Sequence, residues 1–253
     1  MLSSTEKLLT ILVAFKDYPS PLGTSDLSNK LGISQPTVSR ALKVLTSFGL
    51  LLKEPKTHKY YLGNVISELA GIVRQSFEEL LLEVARPYLE ELRDIAGESI
   101  GFEVIYDGKS WMVCEVHGET PVKVAFGTGT NMPLHAACGA KAMLAFYPEA
   151  EVDKLIPEKM GRFTANTITR RSDLKAQFKE IRQEGVAYDL GGIDEDVYSV
   201  AAPVFDHNHN AVAAVAIGSF PSRMKVLFED NRAMEVKKTA QKISDRLADL
   251  KEH

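Results

Sequence analysis

Apolar residues recur along this chain at several spacings, and each spacing predicts an element. Leu8, Leu9, Ile11, Leu12 and Phe15 follow a helical period, with Ser4 placed to cap them. Asp17-Tyr18-Pro19-Ser20-Pro21 stops that helix, because proline cannot continue the backbone ladder. A short helix follows with Thr24 or Ser25 as its cap and Leu27 and Leu31 on one apolar side. Gly32 stands where a helix end favours positive φ. Ser34 caps the next helix, Pro36 fits its first turn, and Val38, Ala41, Leu42 and Leu45 at i, i+3, i+4, i+7 make one buried stripe. Gly49 ends it. Leu50 to Lys53 and Lys59 to Leu62 then read as two short strands around a tip, Glu54-Pro55-Lys56-Thr57-His58, with turn chemistry.

Helical spacing returns with Ile66, Leu69, Ala70, Val73 and Phe77, an amphipathic connector whose stripe serves either a dimer seam or packing on its own chain. A second helical pattern, Leu81, Val84, Ala85, Tyr88, Leu89, Leu92 and Ile95, contains Pro87, which should kink or restart it. From Ser99 the pattern turns to strands. Ile100 to Tyr106 and Ser110 to Val116 flank Asp107-Gly108, a hairpin signal, and Val122 to Phe126 reads as a third strand. His135 to Pro148 holds a helix of small residues, and Leu174, Phe178 and Ile181 mark another that Gly185 ends. Val186 to Leu190, Tyr198 to Phe205 and Ala211 to Ser219 are three more strands, and a last helix spans about Glu229 to Lys251. The expected class is α+β, with helices packed on one antiparallel sheet, the layout of a small-molecule sensor.

The exposed side of the helix after Ser34 carries Gln35, Thr37, Ser39, Arg40 and Lys43, with no carboxylate. Amide and hydroxyl groups can meet base edges in a major groove, and Arg40 and Lys43 can meet a guanine edge or phosphates. The basic hairpin, with Lys56, His58 and Lys59, has the character of a wing lying along the backbone or a minor groove. Thr24 and Ser34, at the two helix starts, complete the candidate contacts to double-stranded DNA. Residues 1–62 therefore read as a winged helix–turn–helix domain, 63–77 as a linker helix and 78–253 as a sensor domain. A three-helix subdomain that binds protein instead of DNA is the alternative on this pattern.

Charge sharpens the division. The chain of 253 residues has a net charge of −4, but residues 1–62 hold eight Lys+Arg against four Asp+Glu, and the rest is acidic. The local field of the basic part, rather than the global charge, is what DNA would meet. Two cysteines, Cys114 and Cys138, form neither a disulfide framework nor a metal knuckle, which suits reduced thiols in a cytoplasmic protein. No apolar run approaches the ~20 residues of a membrane span. No Walker-type glycine loop, HExxH pair or G-x-S-x-G elbow occurs, so neither a catalytic constellation nor a cofactor is expected. An enzyme carrying a DNA-targeting module is the alternative from another class.

Three blocks give the chain a family resemblance. The first is the winged helix–turn–helix. The second runs from Gly129 to Ala145 and is similar to G-x-x-x-P-L-H-A-(x)-x-G-K-A-x-L-A. The third joins Thr164-Ala165-Asn166-Thr167-Ile168, Ile181 to Asp189 and Val200 to Asp206, similar to T-x-x-T-I, I-R-x-x-G-[YF]-A-x-D and [IV]-A-A-P-[IV]-x-D. Together they resemble the IclR-type bacterial transcriptional regulators over nearly the whole length. The resemblance implies a GAF-like effector domain, regulation (more often repression) controlled by a small organic or sugar acid, and assembly as a homodimer or tetramer on an operator. Carried over by motif, the pocket floor would be Gly139, Ala140 and Lys141 at a helix start, whose amides suit an anion. The far wall would include Asp189, Ser199, Ala216 and Gly218. The chain departs from the pattern at Ala140, between the glycine and lysine, at Leu190-Gly191-Gly192, where a Glu pair is common, and at Ala216 and Gly218, where serines are frequent.

Other residues carry two readings each. His135 is either an effector or metal ligand or the cap of a local hydrogen-bond network. Cys138 is an effector or redox contact or a small buried thiol. Trp111 reads as a core or interface anchor, and Arg170 and Arg171 as solvated charges or a pocket entrance. Asp206-His207-Asn208-His209-Asn210 mimics a calcium-loop start but lacks its Gly and Glu, so it reads as a turn.

Overall fold

The computed structural model of the protein describes residues 3–18 and 21–250, with side chains at all of these except 73–77. Pro19 and Ser20 of the expected helix stop, Lys251 of the expected last helix, and the Val73 and Phe77 side chains of the connector stripe lie outside that description. The chain forms two compact units, Met1–Glu79 and Leu80–His253.

The first unit contains α1 (Ser4–Asp17), α2 (Thr24–Leu31), α3 (Gln35–Ser47), β1 (Leu51–Lys53), β2 (Tyr60–Leu62) and the beginning of α4 (Asn64–Ala96). Ile11, Leu27, Val38, Leu42, Leu45 and Leu51 are sealed in its core. The helix starts differ from expectation. Ser3, not Ser4, caps α1: its hydroxyl accepts the Glu6 amide at 3.2 Å while the Glu6 carboxylate accepts the Ser3 amide at 2.6 Å. Gly23 is the cap residue of α2, and its amide donates to Asp26 at 2.8 Å, which leaves Thr24 and Ser25 inside the first turn. Ser34 precedes α3, but its hydroxyl pairs with that of Thr37 at 2.9 Å instead of receiving a backbone amide. The wing is an antiparallel pair with Leu51 opposite Leu62, and the Leu22 and Tyr60 backbones exchange two hydrogen bonds that tie it to the segment before α2.

α4 is one helix through Pro87, with no restart there. Leu81, Ala85, Leu89, Leu92 and Ala96 are buried along it, so tertiary packing holds a helix that the proline weakens locally.

The second unit is built on six antiparallel strands, β3 (Ser99–Tyr106), β4 (Lys109–Val116), β5 (Asn131–Pro133), β6 (Ala187–Leu190), β7 (Tyr198–Phe205) and β8 (Ala211–Ser219). Their order is β5-β4-β3-β8-β7-β6. Asp107 and Gly108 both take positive φ, the geometry of a tight two-residue hairpin, as the Asp-Gly pair predicts. The expected strand at Val122 to Phe126 is absent. The Phe126 and Gly127 amides donate to the Glu115 carboxylate at 2.9 Å, and the Val124 carbonyl accepts from Ser99, so this backbone is satisfied by side chains. The edge place beside β4 goes to β5.

Strand alternation splits the core into two layers. Ile100, Phe102, Val104, Val200, Ala202, Val215 and Ile217 face one way, against α4, α8 (Pro221–Glu229) and α9 (Glu235–Asp249). The other face carries Ala201, Ala214 and Ala216 and meets α5 (Cys138–Leu144), α6 (Glu149–Leu155) and α7 (Arg171–Glu184). Helices thus cover both faces, and α5 is much shorter than the His135 to Pro148 stretch expected.

Phe102 is fully buried at the centre of the first layer. Phe102→Ala should cost about 3–5 kcal/mol of stability, read as a lower urea midpoint for the second unit.

Candidate functional site

In the first unit, the amphipathic pattern puts the polar side of α3 outward. Val38, Ala41, Leu42 and Leu45 are buried, while Ser34, Gln35, Arg40 and Lys43 are exposed and Thr37 and Ser39 half-exposed. Arg40 Nε reaches back to the Pro36 carbonyl at 3.4 Å and leaves its terminal nitrogens outward. Lys56, His58 and Lys59 are exposed on the wing. Thr24 is half-buried at the start of α2. The surface is cationic and hydroxyl-rich, with the groups that contact phosphates and base edges.

The second unit contains two adjoining cavities that share Asp189. The smaller, about 210 Å³, is lined by Val124, Phe126, Met132, Ile193, Val197 and Ala216 together with Glu103, Cys138, Asp189, Asp194 and Ser199. The larger, about 440 Å³, is lined by His135, Lys141, Asn166, Thr167, Gln177, Tyr188 and others. Of the nine residues expected at the effector site, Cys138, Asp189, Ser199 and Ala216 meet at the smaller cavity, and His135, Lys141 and Asp189 at the larger. Gly218 lies under the Phe126 ring, at a distance that leaves no space for a side chain.

Gly139 and Ala140 do not present open amides. Glu103, a fully buried residue of β3 that accepts the Ser110 hydroxyl at 2.6 Å, sets its carboxylate against them. A Cβ at Gly139 would sit 2.6 Å from that carboxylate, so only glycine admits this approach. The anion expected at the start of α5 is supplied by the chain itself. Lys141 is likewise engaged: both it and Asp189 are buried, with Nζ 2.6 Å from Oδ1. Asp189 Oδ2 accepts the Gly192 amide at 3.0 Å. Burial pushes the Glu103 carboxyl above its ordinary range, against the pull of the Ser110 and α5 donors and of Lys141.

Cys138 points its thiol at the Ala187 and Ser199 carbonyls, 3.5 and 3.6 Å away. Burial raises the thiol far above the ordinary range, which makes it an inert packing group. His135 Nε2 bonds the Gly161 carbonyl at 2.9 Å and its ring stacks on Phe163, so it anchors a loop while edging the larger cavity. Asp206 accepts the amides of Asn208 and Asn210 in a turn. Trp111 is half-buried, its indole N–H donating to the Tyr106 carbonyl at 3.2 Å. Arg170 pairs with Asp173 at the surface, and Arg171 with Asp153 and Glu158.

Thr164-Ala165-Asn166-Thr167 acts as a latch. Thr167 Oγ1 accepts the amides of Phe163 and Thr164 and donates to the Gly192 carbonyl, while Thr164 Oγ1 donates to Gly191 and the Asn166 amide to Leu190. The Leu190-Gly191-Gly192 segment is thereby pinned beside Asp189. Glu103 and Phe126 were not anticipated from the sequence. The available signal was a lone carboxylate in the apolar run Ile100 to Ile105.

Residues 78–245 match the bacterial transcriptional regulator IclR C-terminal family, and residues 4–55 match the IclR helix-turn-helix domain. The HTH-type transcriptional regulator XynR of Escherichia coli is 27% identical over 226 residues, covering 88% of each chain. The DNA-binding transcriptional repressor YiaJ of the same organism is 27% identical, covering 94% of this chain and 86% of its own. The crystal structure of the Thermotoga maritima IclR aligns with a TM-score of 0.62 at 25% identity, covering 97% of this chain and 98% of that one.

Removing Asp189 leaves a buried ammonium without its partner. Asp189→Ala should lower stability by about 3–5 kcal/mol, and Lys141→Met in the same chain should recover much of it; chemical denaturation of the wild type and the two variants decides. Glu103 gives a pH signature. Its folded-state pKa lies above the unfolded value near 4.5, so the native state holds the proton longer and stability falls as pH rises through that window. Glu103→Gln should therefore gain on the wild type between acid and neutral pH, seen as melting temperatures that converge or cross.

Proposed function

Since the chain belongs to the IclR family of bacterial transcriptional regulators, we propose that it represses transcription by binding a DNA operator, and that a small molecule held in the second unit controls that binding. Family members are regulators and not enzymes, which leaves the alternative of a DNA-targeted catalyst without support. The observation that carries the reading is the outward face of α3, where Gln35, Arg40 and Lys43 are exposed without a carboxylate among them. The repressor YiaJ among the relatives supports the sign of regulation.

Residues Ser34, Gln35, Thr37, Ser39, Arg40 and Lys43 would enter the major groove, while Lys56, His58 and Lys59 on the wing would meet backbone or minor groove and Thr24 a phosphate. Two copies would read two half-sites, because a two-fold dimer matches a palindromic operator. An effector alters operator affinity only through unequal affinity for the DNA-competent and incompetent arrangements. The smaller cavity, with Asp189 at its border to the larger one, is the place we assign to it. Among the described residues no helix is long and apolar enough to cross a membrane.

Selection from a random duplex library tests the reading. The expected winner is an inverted repeat with half-sites about 34 Å apart, or a multiple of that. Enrichment of no sequence at about 150 mM salt would remove it. On the selected duplex, Arg40→Ala should weaken binding by ~1–3 kcal/mol if it reads a base edge, while a uniform loss on all duplexes would assign it to phosphate.

A further inference from the structure

The smaller cavity has an unusual charge for a site expected to hold an acid. Glu103, Asp189 and Asp194 reach it from three separate segments, and among the described residues no basic side chain lines it. Lys141, near Glu103, already neutralises Asp189 from 2.6 Å. The start of α5, where backbone amides would otherwise receive an anion, is filled by Glu103. Ser110 donates its hydroxyl to Glu103 at 2.6 Å, and the buried carboxyl group lies directly against Gly139. The seat is taken whether or not Glu103 carries its proton, since both forms fill the same volume.

Resting on the assignment of this cavity to the effector, we infer that it excludes carboxylates and accepts a small ligand without negative charge, with hydrogen-bond donors on an apolar body. Glu103 is then a built-in occupant of the position an acid would use. An incoming carboxylate would find the Glu103 carboxyl group already in its place and no unpaired cation among the lining residues to receive it. A hydroxyl or ammonium group meets acceptors instead. Val124, Phe126, Met132 and Val197 give the apolar wall, and Ala216 adds no hydroxyl to it. The volume of about 210 Å³ restricts the ligand to a compact molecule.

Chemical rescue tests the inference on the full chain. Glu103→Ala should melt below the wild type, and sodium acetate should recover part of that loss when sodium chloride of equal ionic strength does not. The wild type should be insensitive to the same exchange. Acetate that stabilises the wild type as much as the variant, or that leaves the variant unmoved, overturns the proposal. If the alanine variant does not fold, Glu103→Ser, which also vacates the seat, replaces it. By calorimetry, benzoate should then bind at least about tenfold more tightly than to the wild type, with benzyl alcohol little changed. No gain for benzoate overturns the proposal equally. The same preparations are assayed on the selected duplex. Failure of the wild type to bind DNA specifically would remove the regulator reading and leave the acetate result standing. Acetate bound by a wild type that still reads DNA would remove the ligand class alone.

Discussion

The second unit depends on how closely α5 can approach the sheet. One sheet face is lined with small residues, Ala201, Ala214 and Ala216, and the helix answers with Cys138, Gly139 and Ala140. Short side chains on both sides bring the helix start within hydrogen-bond reach of Glu103 on β3 and its next turn within reach of Asp189 on β6. Burying two carboxyl groups and an ammonium is costly unless each finds partners. Here they do, and the resulting polar set fixes where the helix sits along the strands.

That set also connects the cavity to its surroundings. Asp189 holds Lys141 with one oxygen and the Gly192 amide with the other. The next segment is gripped by the hydroxyls of Thr164 and Thr167. A ligand that moved Asp189 would therefore pull on a salt bridge, a glycine loop and a threonine latch together. They are discrete contacts, the kind of element through which a ligand can shift a population.

The first unit follows a simpler rule. Its core is a handful of large aliphatic side chains, and the amphipathic period of α3 alone decides which residues face out. Most acidic residues of the chain lie in the other unit, so the first unit keeps a positive balance although the whole protein is acidic.

Periodicity in the sequence determined the three small helices, the wing, the Asp-Gly hairpin, most of the antiparallel strands and the outward face of α3, because each depends on residues near one another in the chain. Cap choice slipped by one residue at Ser3 and Gly23, where the Glu6 and Asp26 carboxylates reach back to the Ser3 and Gly23 amides and set the helix starts. The strand expected at Val122 to Phe126 failed for a longer-range reason: Glu115 and Ser99, distant in sequence, supply its hydrogen bonds. Pro87 did not break α4, since burial of Leu81, Leu89 and Leu92 outweighed one missing hydrogen bond. The motifs placed Asp189, Lys141, Cys138 and Ser199 near one another. That Glu103 stands against the start of α5, and that Lys141 is paired rather than open to a ligand, was decided only by the tertiary structure. A carboxylate within a strand looks like any solvent-facing residue until both faces of its sheet are covered.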